Sequence, residues 1–471
     1  MTKQLIFSAL ISIFALTLMS PSCEKSTEPS TASPTVDEAS TPIAAPRIEP
    51  ISYTFDDNYK DLWLKVDSLQ EIGLYTSAIE VVHVIFEAAR KEENTPQVVK
   101  AVMHKMKYNA YLEDDDFVLA MNELNQLSAE ATFPLKQIIH SVTAESYWGY
   151  YQANRWTFLN RTQTVNFEND DVRTWDLNTL LSHVKKNYLL SLSGRDSLQV
   201  TSITDFTAIL SQSSVNSPEQ RPSLYDFLAH RALIYFQNSE QSLNRPEEKF
   251  SLESRNYFGN PAEFLALQIN SNDTLSGLLE AVHIYRELTR FHVGDKDPSA
   301  LIDLNLKRLK FARSHSIKDN KDELYLKALT SLADKHKLHP SSAEVNHQIA
   351  RYYNQQGNKY SAKDKETQWD KKKAFGYCKI AMLNHPKSLG AGQCEALMVS
   401  IQQKNISFKT EVAYAPTSNA KMLITYKNVD LLYFKMVKVD WDYFYKQSLY
   451  GEDLMEELLK LESVHQWKNK I

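Results

Sequence analysis

Two histidines in the second half of the chain have a spacing that could serve metal binding. His336 and His339 are three positions apart, which would place both imidazoles on one face of a helix. A zinc site needs three or four ligands, however, and the neighbouring sequence supplies no third. We therefore expect a solvated turn before Pro340, and we assign no metal ligand.

An acidic run could in principle bind calcium through its carboxylates, which are Glu168, Asp170, Asp171 and Asp176. The run lacks the glycine and the alternating ligands of a calcium-binding loop. Asp176 directly precedes an apolar periodic segment that begins at Leu177, and an aspartate in that position accepts a hydrogen bond from the first turn of a helix. The sequence therefore favours helix capping over calcium binding.

Cys378 and Cys394 lie in two successive segments with helical periodicity. Disulfides persist in exported proteins, so these two cysteines could form a bridge between adjacent helices. Two unpaired cysteines in a helical core are an equally good interpretation. Both interpretations stay open on the sequence alone.

The stretch "SYWGYYQANRWTFLNRT" is rich in aromatic side chains that could bind a ligand or pack in a core. Tyr147, Tyr150 and Tyr151 recur at the spacing of one helical face, Trp148 lies off that face, and Asn154 is a suitable residue for the helix end. Aromatic stripes at helical spacing usually supply buried area. The spacing predicts interhelical packing.

Composition and motifs exclude several classes of function. The chain has a net charge of −5 and lacks the basic patch of a nucleic-acid-binding protein. It has no zinc-protease helix, nucleophile elbow, Walker loop or dinucleotide fingerprint. We predict a protein that is not an enzyme and needs no cofactor. The alternative is a glycan-binding or glycan-processing lipoprotein that uses the aromatic and acidic region 147–176.

The N-terminus has the pattern of an export signal. Leu5 to Met19 form an apolar run after a basic residue, which predicts a signal peptide over residues 1–22. Cys23 follows, and residues 23–56 have the proline-rich, small-residue composition of a flexible tether. We expect Cys23 to be lipidated and to anchor the chain in the bacterial envelope. The alternative is a secretory peptide cut elsewhere, with Cys23 left free.

Residues 57–404 have the periodicity of helical hairpins. The chain has 471 residues but only 11 glycines, about a third of the average usage, which favours helix over strand. Gly73 separates two periodic stretches, as at the turn of a tetratricopeptide-type hairpin. The late segments "NHQIARYYNQQG" and Ala374 to Pro386 fit one such repeat with an insertion. The pattern predicts a mainly α fold, a tetratricopeptide-like α-solenoid.

The period changes from helix to strand near Ile406. The segments "ISFKTEV", "KMLITYK" and "LLYFKMVKVDW" alternate or run apolar, which predicts three strands of a β-sandwich over residues 405–471. Tyr450 to Ile471 read as a C-terminal helix with Leu454, Leu458 and Leu461 on one side. Because a sandwich needs about seven strands, we expect this β-domain to be incomplete.

Several of these strings, among them "DLWLKVDSLQEIGLYTSAIEVV", "RPSLYDFLAHRAL" and "AKMLITYKNVDLLYFKMVKVD", resemble the N-terminal region of alpha-2-macroglobulin family proteins of Bacteroidetes over residues 57 to 440. The resemblance implies that macroglobulin-like sandwiches follow and that the present chain is truncated in the first. The family's covalent trap uses a thioester and a bait region, and neither can be placed on this chain. We expect a non-enzymatic, lipid-anchored scaffold that binds envelope proteins or proteases.

Overall fold

The computed structural model describes most of the chain from Asp57 onward and shows a mainly helical protein with a few short strands. The described residues are 57–112, 116–161, 171–210, 217–238, 240, 249–273, 275–361, 363–411, 419, 421–440 and 450–471. The prediction of a mainly α fold is therefore confirmed. The helices, in chain order, are α1 Asp57–Glu71, α2 Tyr75–Lys91, α3 Thr95–Leu112, α4 Asp116–Glu130, α5 Leu135–Ala153, α6 Arg155–Leu159, α7 Leu177–Ser191, α8 Arg195–Val200, α9 Ser217–Gln220, α10 Leu224–Phe236, α11 Pro261–Leu265, α12 Gly277–His292, α13 Ser299–His315, α14 Lys321–Lys335, α15 Ser342–Gly357, α16 Asp370–Asn384, α17 Leu389–Gln402 and α18 Gly451–Lys460.

The first helical hairpin forms where the sequence predicts it. Gly73 has a positive φ of 75°, and its N–H and that of Leu74 donate to the carbonyls of Gln70 and Leu69, which closes α1 with a Schellman turn. Glycine suits this position because it has no Cβ to strain the left-handed backbone. The turn lets α1 and α2 pack on each other around a core that includes Trp63.

Other helix ends also follow sequence signals. Asn154 is the C-cap of α5, and the Asp176 side chain accepts a hydrogen bond from Thr179 N at the start of α7. Ser223 and Asp226 form a reciprocal capping box at the start of α10. Helices α7, α10, α12 and α13 lie within residues 57–404, for which the sequence predicts helical hairpins.

The chain divides into two compact units: the described parts of Met1–Ile349 with Ile380–Gly392, and Ala350–Lys379 with Gln393–Ile471. In the first unit, helices that follow one another in sequence are mostly packed together, as in α1 with α2, α2 with α3, α4 with α5, α12 with α13 and α13 with α14. Helix α5 also packs against α7, and α10 against α12. The buried core of the first unit is thus built from successive helix pairs.

The described residues of the second unit form four strands, which are β1 Asn405–Thr410, β2 Met422–Lys427, β3 Leu431–Val437 and β4 Ser463–Lys470. Strand β1 pairs with β2 and β3 pairs with β4, both antiparallel, so the described strands form two two-stranded sheets. The three predicted strands are present. Asn428 has a positive φ of 55° between β2 and β3, and its side chain donates to the Ile401 carbonyl at 2.8 Å.

The prediction of one helix from Tyr450 to Ile471 is wrong in its second half. Helix α18 ends at Lys460, and Ser463–Lys470 form β4 instead. The leucine spacing that indicated a helix stops at Leu461, and the residues beyond it gain backbone hydrogen bonds by pairing with β3, including the cross-strand pair of Phe434 and Trp467. Their rings stack with centroids 4.8 Å apart.

Candidate protein-binding groove

A groove with an apolar floor lies between α2, α3 and α4. Val82 and Phe86 are one turn apart on α2, and Leu124 and Leu127 are three residues apart on α4, so each helix presents an apolar stripe to the same space. Val102 supplies part of the floor from α3. The groove encloses about 240 Å³, which exceeds the ~150 Å³ of an apolar protein cavity known to take up benzene. One large apolar side chain fits in it.

The rim of this groove carries two ion pairs with a fixed polarity. Arg90 Nη2 of α2 lies 2.8 Å from Glu130 Oε2 of α4, and Lys105 Nζ of α3 lies 2.9 Å from Glu123 Oε1 of α4. The cations therefore come from α2 and α3 and the anions from α4. All four side chains are substantially exposed, and exposed ion pairs stabilise a fold by only about 0–1 kcal/mol each.

Glu130, on the acidic side of the rim, keeps its charge at neutral pH. Hydrogen bonds from Gln126 and Arg90 hold the pKa of Glu130 below its ordinary value. His83 adds a further polar group to the groove from α2. The groove thus combines an apolar floor with a basic wall and an acidic wall.

The aromatic stretch is largely core. Tyr147 and Tyr151 are buried as the spacing predicts, while Tyr150 is only half-buried. Trp148, which the spacing places off the buried face, is buried too, because its ring packs edge-on against Tyr235 of α10 at 5.1 Å. Trp156 is exposed at the surface. These placements favour packing over a stacking platform for a glycan.

Several described residues that were considered as metal ligands make other contacts. His336 ends α14, and His339 Nε2 lies 3.4 Å from Asp297 Oδ1. Asp171 hydrogen-bonds Arg173, whereas Glu168 and Asp170 lie outside the described residues. In the described part of the chain, no group of three histidine, cysteine or acidic side chains is arranged to hold a metal ion.

The structure brings the two candidate disulfide cysteines together as free thiols. Cys378 on α16 and Cys394 on α17 are both fully buried. The hydrogen bond between the two side chains lowers the pKa of Cys378 and, together with burial, raises the pKa of Cys394. The pairing therefore stays a prediction, now with the two side chains in hydrogen-bond contact.

The predicted lipidation site, Cys23, lies outside the described residues. The same holds for residues 1–22 and for the tether. Each helix in the described part of the chain is too short or too polar to cross a membrane.

Sequence reasoning missed a cluster of buried charged side chains in the first unit. Arg221 Nε lies 3.9 Å and His230 Nε2 4.0 Å from Asp303 Oδ2, and Lys307 bonds the other oxygen of Asp303. Burial and the neighbouring cations Arg221 and Lys307 lower the pKa of His230 to about 3. Burial and the charge of Asp303 raise the pKa of Glu344 to about 7. His230 lies on α10, Asp303 and Lys307 lie on α13, and Arg221 lies between α9 and α10. The four-residue spacing of Asp303 and Lys307 is local, but no spacing could have indicated the rest of the cluster.

Comparison of the chain with known protein families, with characterised proteins and with solved structures gives no match. Function must therefore be argued from the residues and their geometry.

Proposed function

We propose that this protein is a non-enzymatic scaffold of the bacterial envelope that binds protein partners through the groove between α2, α3 and α4. The observation that carries the proposal is the pairing of an apolar floor with a charged rim. Buried apolar anchors surrounded by a polar rim provide most of the energy of protein interfaces. The partner segment presents one large apolar side chain, with an acidic residue toward α2 and α3 and a basic residue toward α4.

The wider setting of the proposal rests on sequence. The apolar run before Cys23 supports export and lipid anchoring, and the resemblance to alpha-2-macroglobulin family proteins supports a place in the leading, tetratricopeptide-like solenoid of such a protein, without thioester trapping by this chain. The strands support a macroglobulin-like domain. Ile406, Phe408 and Met422 leave more than half of their surface exposed on one sheet face, and such a face is ordinarily covered by a second sheet.

Site-specific photo-crosslinking in the producing cells tests the groove. A benzophenone amino acid at position 83, which lines the groove, is expected to cross-link a segment with the stated apolar, acidic and basic residues. The same probe at Val84, the exposed neighbour outside the groove, is the matched control. Equal cross-linking from both positions, or none from position 83, contradicts the proposal.

A charge-swap variant tests the polarity of the rim. Arg90→Glu combined with Glu130→Arg keeps an ion pair across the groove but reverses its direction. We expect the fold to keep its stability and cross-linking from position 83 to fall about tenfold, since like charges then face each other across the interface. An unchanged yield would show that the rim does not select the partner.

The anchor has its own test. Cys23→Ala is expected to leave a larger precursor and to move the protein from the detergent phase to the aqueous phase on phase partitioning. Identical migration and partitioning with and without Cys23 would rule out lipidation and leave the groove proposal standing.

A further inference from the structure

His292, the last residue of α12, lies between two carboxylates from different parts of the first unit. Its Nε2 is 2.7 Å from Asp226 Oδ1 in the first turn of α10, and its Nδ1 is 2.6 Å from Asp295 Oδ2 in the connector between α12 and α13. The His292 side chain is 2% exposed, that of Asp226 1% and that of Asp295 34%. One ring therefore joins a helix start to a surface connector.

The hydrogen-bond chemistry fixes the charge of this ring. An ionised carboxylate only accepts hydrogen bonds, and a neutral imidazole donates from one nitrogen only. Asp226 is held as an acceptor, because its Oδ2 receives hydrogen bonds from Ser223 N at 3.1 Å and from Ser223 Oγ at 2.6 Å. Both contacts of His292 are satisfied together when the ring is an imidazolium.

The helix ends favour the same charges. An anion at the N-terminus of a helix and a cation at its C-terminus are both stabilised by the helix dipole, and Asp226 and His292 occupy those positions on α10 and α12. Arg195, Glu287 and Arg290 are also near this end of α10, where their charges act on Tyr225. Arg221, Asp303 and Lys307 lie on another side of α10, where their charges act on His230. Within α10, His230 donates from Nδ1 to the Asp226 carbonyl and does not contact the carboxylate.

The connector over residues 293–298 has a second, separate attachment. Asp297 Oδ1 accepts a hydrogen bond from Ser299 N at 2.8 Å and lies 3.4 Å from His339 Nε2. The connector is thus held near its start by Asp295 and near its end by Asp297. The Asp295 N–H also donates to the His292 carbonyl at 3.2 Å, so the two ends of the connector are held by different contacts.

We propose that His292 is a pH-sensitive staple, whose imidazolium fixes the start of the α12–α13 connector to α10 and whose deprotonation frees that end of the connector. Loss of the proton leaves one ring nitrogen facing a carboxylate with no hydrogen to share. Asp295, the more exposed partner, then swings into solvent, while the buried Asp226 keeps its capping bonds to Ser223.

The direction of the pH effect follows from the pKa. Burial by itself lowers the pKa of His292, but the hydrogen bonds and charges of Asp226 and Asp295 outweigh burial and leave this pKa above its ordinary value. The staple is therefore fully formed below the unfolded pKa of about 6.5 and is lost as the pH rises through the higher folded value.

NMR titration of the histidine ring protons, together with amide hydrogen exchange over residues 293–296, tests the staple in the full chain. We expect His292 to titrate above about pH 6.5, and exchange at the connector, corrected for intrinsic rates, to accelerate about tenfold above that pKa. Asp295→Asn removes one charge from an exposed position. It should lower the pKa of His292 and make connector exchange fast already at low pH.

Asp297→Asn is the matched control at the other end of the same connector. It should leave the pKa of His292 unchanged, because Asp297 contacts Ser299 and His339 and not His292. The proposal is overturned if His292 titrates at or below its ordinary value, if Asp295→Asn leaves that pKa unchanged, or if corrected exchange at residues 293–296 does not depend on pH.

Discussion

Tyr151 in α5 and Phe408 in β1 are both large aromatic residues in regular secondary structure, yet none of Tyr151 and 66% of Phe408 is exposed. Helix α5 is covered by α4 and α7, with further contacts to α3, α6 and α10, so side chains on several of its faces are buried. Strands β1 and β2 pair only with each other in the described chain, and both faces of their sheet stay open. An aromatic ring is thus part of the core in one region and mostly in contact with water in the other.

Ion pairs show the same contrast within the first unit. Arg231 of α10 bonds Glu145 of α5 where both side chains are almost fully buried, whereas Arg90 and Glu130 form their pair at the rim of the groove. Arg231 also donates from Nε to Ser141 Oγ at 2.9 Å. Position in the helix array, and not residue type, decides which contacts stabilise the fold and which remain available to a partner.

The largest expected difference between the regions is in the free energy of unfolding that is lost when an aromatic side chain is replaced by alanine. Tyr151→Ala should lower the free energy of unfolding by about 3–5 kcal/mol, because it removes a fully buried ring and leaves a cavity. Phe408→Ala should change it by less than about 0.5 kcal/mol, since the ring is mostly in water. Urea unfolding of both variants measures the contrast, with Tyr151→Phe as the control that keeps the ring. Equal losses in the two alanine variants would contradict the distinction between core and open sheet.

The second largest difference should be between the buried and the exposed ion pair, in the free energy of unfolding that is lost when the pair is broken. Glu145→Gln leaves the Arg231 charge buried without its counter-charge and should cost about 3 kcal/mol. Glu130→Gln, at the exposed rim, should cost much less, because solvent screens this pair. Chemical denaturation of the two variants under identical conditions is the measurement. A cost for Glu130→Gln as large as that for Glu145→Gln would show that the rim pair is structural, and would weaken the proposed groove.

In the second unit, oxidation of the cysteine pair should change the free energy of unfolding by a smaller amount. Cys378 and Cys394 are buried and hydrogen-bonded, so oxidation by glutathione disulfide should join them and release two reduced glutathiones per bridge. The bridge should stabilise the protein by about 2 kcal/mol. Mass spectrometry should show the loss of two hydrogen atoms, and thiol titration in denaturant should show two fewer groups. Cys378→Ser serves as the control. Persistence of both free thiols under these conditions would favour the interpretation of unpaired core cysteines.

Much of the helical region could be predicted from local signals. Gly73, Asn154 and Asp176 end or begin helices where their conformational or capping preferences require. These effects act over a few residues, so sequence spacing contains them. Burial of Tyr147 and Tyr151 also followed from spacing, because one helical face repeats every three to four residues.

The features that could not be predicted depend on which elements, distant in sequence, pack together in the fold. Trp148 is buried because α10 covers it, and α10 begins more than seventy positions later in the chain. Residues Ser463–Lys470 form a strand because β3 offers them a pairing edge. The clusters around His292 and Asp303 combine residues from separate helices and connectors, and the groove exists only where three helices are packed. None of these features repeats at a fixed interval that a sequence pattern could reveal.

Local unfolding of the strands should require the smallest free energy of the processes compared here. A two-stranded antiparallel sheet is marginally stable by itself, and among the described residues of β1–β4 only Leu432 is buried. Local unfolding of such a region requires much less free energy than opening a packed helix pair. Brief digestion with trypsin should therefore remove the strands first and trim the chain back to about Lys404, while α1–α7 stay intact. If lysines in β1–β4 resist cleavage as long as those in α1–α7, the strands are more strongly held than their exposure implies, and a covering partner or a further sheet must then be sought on the face formed by Ile406, Phe408 and Met422.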